Sequence, residues 1–441
     1  MYTEQSRRGV TAKYKRMAVI GALLSVPAVI GGSSIAYASG PGDPPPMSVP
    51  CTGGVCAVGD APSAIGVNPV TNRIYVSGDI LDGTIRVIDG ATSSVIGLPI
   101  TVGSGPVSIA VNSVTDKIYV SNMYDGSVSV IDGVSDTVVK TIDLGSSWAG
   151  AVTVNEKTNT IYAAQANVGG QIVAIDGVTD TISGPPVPLS MVEPGNDLAV
   201  DPATNRLYVL EDDVPAGSPG VLEVIDLTSR ARLALITVGQ GPWGLAVDSA
   251  HQRAYVNNFV DGTMTVINTV SNSMVSSVKV GTQAKSVAVD SATNTIFSVV
   301  GSTNSVQVVD GKSLAIVANL PVGRDPYGIA ANPQTHFAYV ANLLDDSVSI
   351  IQRPTSAPTI TASDILPMAA LKRPYHFDLG ATGFLPPVCR VVGSPPPGVN
   401  VSKTTCVVAG TPTRAGTFDF EVTATNPVGS ATSDYEIVVS P

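Results

Sequence analysis

The sequence is poor in the residues that most often build catalytic centres. Its 441 residues include 3 histidines, 2 tryptophans and 4 cysteines, and 13% of them are charged. The histidines, His251, His336 and His376, show no metal-ligand spacing. No nucleophile elbow or phosphate-binding glycine loop occurs either. We therefore expect no histidine-ligated zinc or haem site, and the sequence leaves any other metal unidentified.

Positive charge is also scarce. The 24 lysines and arginines face 35 aspartates and glutamates, which gives a net charge of −11. Such a surface repels phosphate backbones, so nucleic acid is not an expected partner. We expect a monomer whose partner is an unidentified extracellular protein or glycan.

One long apolar run stands at the N-terminus, from 17 to 35, after several basic residues. It ends in Ala36-Tyr37-Ala38, a small-x-small pattern that signal peptidases cleave. Residues 1–38 are therefore predicted to be a signal peptide of a bacterial protein that is secreted or held at the cell surface. An uncleaved membrane anchor is the alternative, which Pro27 disfavours. The general secretory and twin-arginine export routes both stay open, and no membrane span is expected after cleavage.

The four cysteines form two local pairs, Cys51 with Cys56 and Cys389 with Cys406. In an exported chain, pairs of this kind predict two structural disulfides. A metal site is the rival interpretation of the first pair. Its four intervening residues and the lack of a nearby histidine argue against that.

Glycine and proline, 43 and 33 residues, indicate many turns and an all-β chain. A repeat of about 43 residues predicts four short antiparallel strands in each copy. An aromatic residue recurs every 42 to 47 positions. This column is Tyr75, Tyr119, Tyr162, Tyr208, Tyr255, Phe297 and Tyr339. Seven copies predict a seven-bladed β-propeller over residues 54–353, after an N-terminal linker at 39–53.

The last copy lacks its fourth strand, whereas an unmatched strand-like segment, Gly54-Val-Cys-Ala-Val-Gly59, precedes the first copy. We expect this segment to complete the seventh blade and so to join the two ends of the repeat array.

The repeat resembles the YVTN β-propeller family. The resemblance rests on Lys117-Ile-Tyr-Val-Ser-Asn122 followed by Gly126-Ser-Val-Ser-Val-Ile-Asp132, and it recurs in every copy. Members of that family, such as surface-layer proteins, are commonly exported or attached to the surface. The resemblance implies an architecture more than an activity.

After a linker at 354–358, residues 359–441 lose the repeat and predict a small Ig-like β-sandwich. Gly-Thr-Pro412 and the strand Thr417–Thr425 resemble Ig-like, cadherin-like modules of bacterial surface proteins. The predicted sandwich has few acidic side chains that could bind calcium, chiefly Asp378 and Asp434. No cofactor is therefore predicted, although calcium is possible.

The loops that enter each blade on one face carry the candidate site residues. Trp148, Trp243 and Tyr327 could form an aromatic platform for a sugar or peptide, or could pack against the blades. Lys285, Arg324 and Asp325 could orient an anionic ligand, or could be solvated charges. The same face is expected to carry Asp60, Asp82, Asp125, Glu193, Asn196, Asp212, Asp213, Asp261 and Asp345.

A second column of side chains recurs with the aromatic one: Asp89, Asp132, Asp176, Asp226, Asn268, Asp310 and Gln352. Its recurrence in every copy favours turn capping over acid/base catalysis, so no catalytic residue is predicted.

Two functions remain open. The first is a non-catalytic extracellular binding or interaction protein, with the sandwich as a spacer or second adhesive module. The alternative is an enzyme on a propeller scaffold, such as a quinone-dependent dehydrogenase or a lactonase, for which fold analogy is the support. The sequence favours the first.

The signal peptide generates a direct prediction. The mature protein from an exporting host should begin at Ser39 and partition with the soluble fraction, as N-terminal sequencing and intact mass can show. A chain that starts near Met1 in the membrane fraction would instead support the anchor.

Overall fold

The computed structural model describes residues 48–59, 61–78, 83–146, 148–165, 170–189, 197–211, 218–353, 357–382, 387–426 and 429–441. The predicted signal peptide lies outside these residues. The chain divides into two compact units that separate between Ile351 and Gln352, except that residues 317–320 group with the second unit. Within the described ranges the fold is all-β, with one short 3-10 helix at Gly301–Thr303. The described ranges contain no helix that is long and apolar enough to cross a membrane.

The described part of the first unit contains seven antiparallel sheets, numbered one to seven along the chain. Sheet one contains β1 (Ser48–Pro50), β3 (Ile65–Asn68), β4 (Arg73–Ser77), β5 (Thr84–Asp89) and β6 (Ser94–Thr101). Sheet two contains β7 (Pro106–Asn112), β8 (Lys117–Asn122), β9 (Ser127–Asp132) and β10 (Thr137–Asp143). Sheet three contains β11 (Ala149–Asn155), β12 (Thr160–Gln165), β13 (Gln171–Asp176), β14 (Thr181–Ile182) and β15 (Val187–Pro188).

The later sheets follow the same plan. Sheet four contains β16 (Asp197–Asp201), β17 (Arg206–Glu211), β18 (Val221–Asp226) and β19 (Arg232–Thr237). Sheet five contains β20 (Pro242–Asp248), β21 (Arg253–Asn258), β22 (Thr263–Asn268) and β23 (Ser273–Lys279). Sheet six contains β24 (Ala284–Asp290), β25 (Thr295–Val300), β26 (Ser305–Asp310) and β27 (Ile316–Pro321). Sheet seven contains β28 (Pro326–Ala331), β29 (Phe337–Asn342), β30 (Ser347–Gln352) and the early strand β2 (Val55–Ala57).

The aromatic column lies in the second long strand of each sheet and is buried throughout. Tyr119, for example, packs with Val128 and Val130 of its own sheet and with Ile161 of the next. These rings are buried between neighbouring sheets. Their burial removes apolar surface from water and is the main interaction that holds the sheets together. Burial also raises the pKa of Tyr255 to about 12, so its hydroxyl stays protonated at neutral pH.

The six Asp and Asn members of the second column cap turns. Asp132 Oδ1 accepts backbone N–H bonds from Val134 at 3.1 Å and Ser135 at 2.8 Å, and the turn ends at Asp136 with φ 51°. The same Asx turn follows Asp89, Asp176, Asp226, Asn268 and Asp310. These side chains therefore stabilise the turns of their own β-hairpins.

The first strands of the seven sheets contact one another in cyclic order. Strands β3, β7, β11, β16, β20, β24 and β28 each contact the next, and β28 contacts β3. The predicted pairing of the N-terminal segment is present: β2 pairs antiparallel with β30, with Val55 opposite Ser349 and Ala57 opposite Ser347. The fourth strand of sheet seven thus comes from the start of the chain.

The disulfide between Cys51 and Cys56 reinforces this junction. On one side of it, β1 pairs with β6 of sheet one, and Cys51 N–H donates to Ser93 O at 2.8 Å. On the other side, Cys56 lies in β2 of sheet seven. The bond therefore ties together strands that belong to the first and last sheets.

A series of polar contacts links neighbouring sheets at the turn after each first strand. In five of the seven sheets a buried Asn or Asp, at the end of the first strand or directly after it, bonds a left-handed turn residue of the following sheet. The pairs, with their N···O distances, are Asn68–Asp116 at 2.6 Å, Asn112–Asn159 at 2.8 Å, Asn155–Asn205 at 3.0 Å and Asp290–His336 at 2.9 Å. Asn332 Nδ2 donates to Asn72 Oδ1 at 2.8 Å, which connects sheet seven to sheet one.

The second unit consists of two sheets over one apolar core. One sheet contains β31 (Ala369–Ala370), β33 (Val388–Gly393), β36 (Gly416–Asn426) and β37 (Gly429–Ser440). The other contains β32 (Tyr375–Asp378), β34 (Val399–Val401) and β35 (Val407–Gly410). The second predicted disulfide, Cys389–Cys406, is confirmed and lies buried in this core, where it joins β33 to the segment that precedes β35.

The contact between Asn68 and Asp116 makes a sharp stability prediction. Asn68→Asp keeps the turn-capping oxygen but sets two carboxylates about 2.6 Å apart in a buried place. At neutral pH we expect a loss of about 3 kcal/mol in the free energy of unfolding, measured by urea denaturation. The shared site raises the pKa of the pair, so the loss should shrink as the pH falls and one carboxyl gains a proton.

Asn112→Asp is the matched control. The new carboxylate faces the neutral side-chain amide of Asn159. This amide can rotate so that its NH2 group donates to the carboxylate. Its loss should be much smaller and nearly independent of pH. Equal losses in the two variants would contradict the predicted charge repulsion.

Candidate functional site

The three aromatic residues proposed from the sequence lie in one apolar cluster, which we call the aromatic cluster. It comprises Val107, Met123, Tyr124, Trp148, Trp243, Phe259 and Tyr327. Trp243 and Tyr327 are each 5% exposed, whereas Trp148, Tyr124 and Phe259 are half-buried. The cluster thus has a buried base and an accessible rim. Two of the three predicted aromatic residues thus pack inside, whereas Trp148 is half-buried.

A local pattern explains how the base forms. Trp243 and Tyr327 each stand between a proline and a glycine near the start of a first strand, at a register irregularity. A Cβ on Gly244 would lie 2.6 Å from Ser286 Cα, and one on Gly328 would lie 2.3 Å from Ser63 O. Only glycine permits this approach of the neighbouring backbone.

The rings contact one another at defined angles. Trp243 stacks on Phe259 with centroids 5.1 Å apart and meets Tyr327 edge-on at 5.7 Å. Tyr124 and Trp148 form a T-shaped pair at 5.9 Å. Such geometries are favourable for aromatic pairs and hold each ring in one orientation. The faces that remain accessible are therefore preorganised.

Sequence reasoning missed Met123, Tyr124 and Phe259. These residues belong to a repeated loop pattern, Asn-x-x-Asp with two apolar residues inside, which occurs at 122–125, 258–261 and 342–345. The final aspartate of each loop accepts a backbone N–H from the preceding entry loop, such as Ser104 N to Asp125 at 2.7 Å and Gln240 N to Asp261 at 2.8 Å. The recurrence of the pattern was the signal that could have revealed them.

The charged candidates lie beside the cluster and are paired within the protein. Lys285, 5% exposed, forms an ion pair with Asp325 and places its Nζ 4.9 Å from the centroid of the Tyr327 ring. Arg324 Nε lies 2.5 Å from Asp345 Oδ1. Each cation has a carboxylate partner, so neither is an uncommitted anchor for an anion.

A cavity of about 300 Å³ adjoins the cluster, and we call it the central cavity. Its lining comes from the first strands of all seven sheets, and Tyr327 belongs to both the lining and the aromatic cluster. Most of the lining residues are small or aliphatic. Asp197 is the one charged side chain among the described residues that line it.

The remaining candidates are distributed elsewhere. Hydrogen bonds from backbone N–H groups lower the pKa of Asp132, Asp176 and Asp226, in keeping with turn caps. His251 and His336 contact Asp248 and Asp290 in turns after first strands. Asp60, Asp82, Glu193, Asn196, Asp212 and Asp213 lie outside the described residues. In the described part of the chain, no three His, Cys, Asp or Glu side chains are grouped so that they could hold a metal ion.

Comparison with known protein families gives one match, in the C-terminal part of the chain. Residues 357–440 match the He_PIG family, described as "Putative Ig domain". This part of the chain is an Ig-like domain. The comparison with curated proteins found no match.

Among solved structures, hydrazine synthase of Kuenenia stuttgartiensis, a β-propeller-like protein, is similar to this chain with a TM-score of 0.59. The alignment covers 66% of this chain and 95% of that chain at 18% sequence identity. The TM-score indicates a shared fold, and an identity of 18% carries no information on activity.

The pairing of Lys285 and Asp325 predicts coupled effects. Lys285→Met leaves a half-buried carboxylate without its cation and should cost about 2 kcal/mol in the free energy of unfolding. Asp325→Asn, which suits the left-handed backbone at φ 49°, should cost a similar amount because it leaves Lys285 buried. The double variant should recover part of the loss. Strictly additive losses in chemical denaturation would show that the pair is not coupled.

Proposed function

We propose that the seven sheets are the blades of a seven-bladed β-propeller of the YVTN type, which the N-terminal strand β2 closes. The cyclic contacts of the first strands, the β2–β30 pairing and the Asn332–Asn72 bond support this proposal. The propeller spans 54–353, between a cleaved signal peptide at 1–38 and an Ig-like module at 359–441.

We further propose that the mature chain is an exported, non-catalytic protein that binds an extracellular glycan or protein. The rim of the aromatic cluster carries this proposal. Tyr124, Trp148 and Phe259 stand half-buried over a rigid base, and Val260 beside them is 56% exposed. Large rings held in one orientation lose little entropy on binding and commonly dominate the energy of interfaces.

The character of the charges near the rim indicates the kind of ligand. Lys285 and Arg324 are neutralised by Asp325 and Asp345, and Asp125 and Asp261 hold loop backbone. The rim therefore offers apolar ring faces with little uncommitted charge. A neutral sugar face or an apolar side chain of a protein fits it better than an anionic group.

The two disulfides and the Ig-like module are compatible with a place outside the cytoplasm. We propose secretion or attachment at the cell surface, with the Ig-like module as a spacer or second adhesive unit.

Binding to isolated bacterial cell walls tests the function. The mature protein should sediment with the walls, and Trp148→Ala should weaken this binding about tenfold because a ring face is lost. Trp148→Phe should have a smaller effect. Protease treatment of the walls separates a protein partner from a glycan, since only glycan binding survives it.

Val178→Ala is the matched control. Val178 is 77% exposed in a turn of sheet three and lies outside the aromatic cluster, so its loss should leave binding unchanged. Equal binding by the Trp148→Ala variant, or no binding to walls, would contradict the proposal. A stoichiometric metal with hydrolase or dehydrogenase turnover would instead favour the enzyme alternative.

A further inference from the structure

Trp148, the tryptophan of the rim, lies beside the turn that connects β8 to β9 in sheet two. Its side chain is half-buried. Ala149 N–H donates to Met123 O at 3.1 Å, and Leu144 N–H donates to Gly126 O at 3.0 Å. These two bonds hold the segment that carries Trp148 against the turn. An accessible indole is therefore fixed next to the acidic residue of that turn.

That acidic residue differs in its surroundings from its two equivalents. The three Asn-x-x-Asp loops end in Asp125 of sheet two, Asp261 of sheet five and Asp345 of sheet seven. In sheet seven, Arg324 forms an ion pair with Asp345. In sheet five, Lys279 Nζ donates to the backbone oxygen of Asp261 at 3.0 Å. Each of these two loops therefore has a cation of its own chain in contact with it.

Sheet two has no cation at either of the corresponding positions. Ser104 stands in the entry loop at the place that Arg324 occupies in sheet seven. Asp143 ends β10 at the register position that Lys279 holds at the end of β23. The loop of sheet two thus lacks both cations and has a second carboxylate in place of one of them.

The two carboxylates of sheet two are exposed and make only backbone contacts. Asp125 Oδ2 accepts the N–H of Ser104 at 2.7 Å, and Asp143 Oδ1 accepts the N–H of Gly145 at 2.8 Å. A backbone N–H bond uses one acceptor position of a carboxylate and supplies no positive charge. Neither side chain forms an ion pair within the part of the chain that the structure describes. Further donors can therefore bind both groups.

We propose that Trp148, Asp125 and Asp143, which we call the sheet-two corner, bind an arginine side chain of a protein partner. This inference rests on the proposed function and narrows its ligand to a protein with an exposed arginine. A guanidinium group is flat and weakly hydrated, so it can stack on the indole while its N–H groups donate to a carboxylate. Its apolar stem packs against the rim. The partner thus supplies the cation that sheets five and seven take from their own chain.

A pair of capped peptides tests the proposal. One is acetyl-Gly-Arg-Gly-amide, and the other has citrulline, which has nearly the same shape and no charge, in place of arginine. The chain has 2 tryptophans, so NMR of the isotope-labelled mature protein gives two indole N–H signals, and Trp148→Phe identifies that of Trp148. The arginine peptide should shift this signal, and the citrulline peptide should bind about fivefold more weakly. Added salt should weaken binding of the arginine peptide.

Asp143→Lys is the decisive variant, because it gives sheet two the residue that sheet five has in Lys279. The variant should fold with unchanged circular dichroism. It should lose most of its affinity for the arginine peptide, since the new ammonium neutralises Asp125 and repels the guanidinium. Asp419→Lys is the matched control. It makes the same change of charge at an exposed position of β36 in the Ig-like module and should bind the peptide as the unmodified protein does.

The inference is wrong if the arginine peptide leaves the Trp148 signal unmoved, if the two peptides bind equally, or if Asp143→Lys binds arginine normally. Wall binding that depends on Trp148 but survives protease treatment would also overturn it, while the proposed function would stand. Wall binding that Trp148→Ala leaves unchanged would overturn the proposed function, and this inference with it.

Discussion

The pairing of β2 with β30 is the constraint on which the rest of the first unit depends. Repeated sheets can stack in an open row, but a row leaves an unpaired edge at each end, where other chains can pair. Here β2, which precedes all seven first strands in the chain, completes the last sheet, and a disulfide holds it to sheet one. An apolar cluster joins the same two sheets, with Tyr339 packed against Ile65 and Ile74. The central cavity and the aromatic cluster exist because the seven first strands are brought together in cyclic order.

Much of this architecture could be predicted from the sequence because it repeats. The aromatic column and the Asp column each occur once per copy, and both have the roles that recurrence suggests: buried packing between sheets and capped turns. Both disulfides followed from local spacing and export, and the Ig-like domain from its own strand pattern. The limits of the signal peptide and linkers, and the closed seven-bladed propeller as such, stay predictions.

The candidate site was less predictable, since it depends on where copies differ. Trp243 and Tyr327 occupy positions that other copies fill with Val107 or Lys285, and nothing local indicates that one is buried and another accessible. The choice of partners, such as Lys285 with Asp325 and Arg324 with Asp345, is a property of neighbouring sheets rather than of one copy. Deviation from the repeat is thus the better guide to the candidate site: the aromatic cluster is built from residues at which the copies differ.

Hydrogen exchange of β30 tests closure most directly. β2 pairs with Ser347–Ser349 of β30, and the N–H of Ile350 donates to Gly54 O at 2.7 Å. The account predicts that the Ile350 amide exchanges as slowly as the amides of the inner strand β9, and that the Val58 amide, which donates to Asp346 O at 3.0 Å, is also protected. Exchange of the Ile350 and Val58 amides as fast as that of solvent-exposed amides would show that sheet seven ends in an open edge, which would contradict the proposed closed ring.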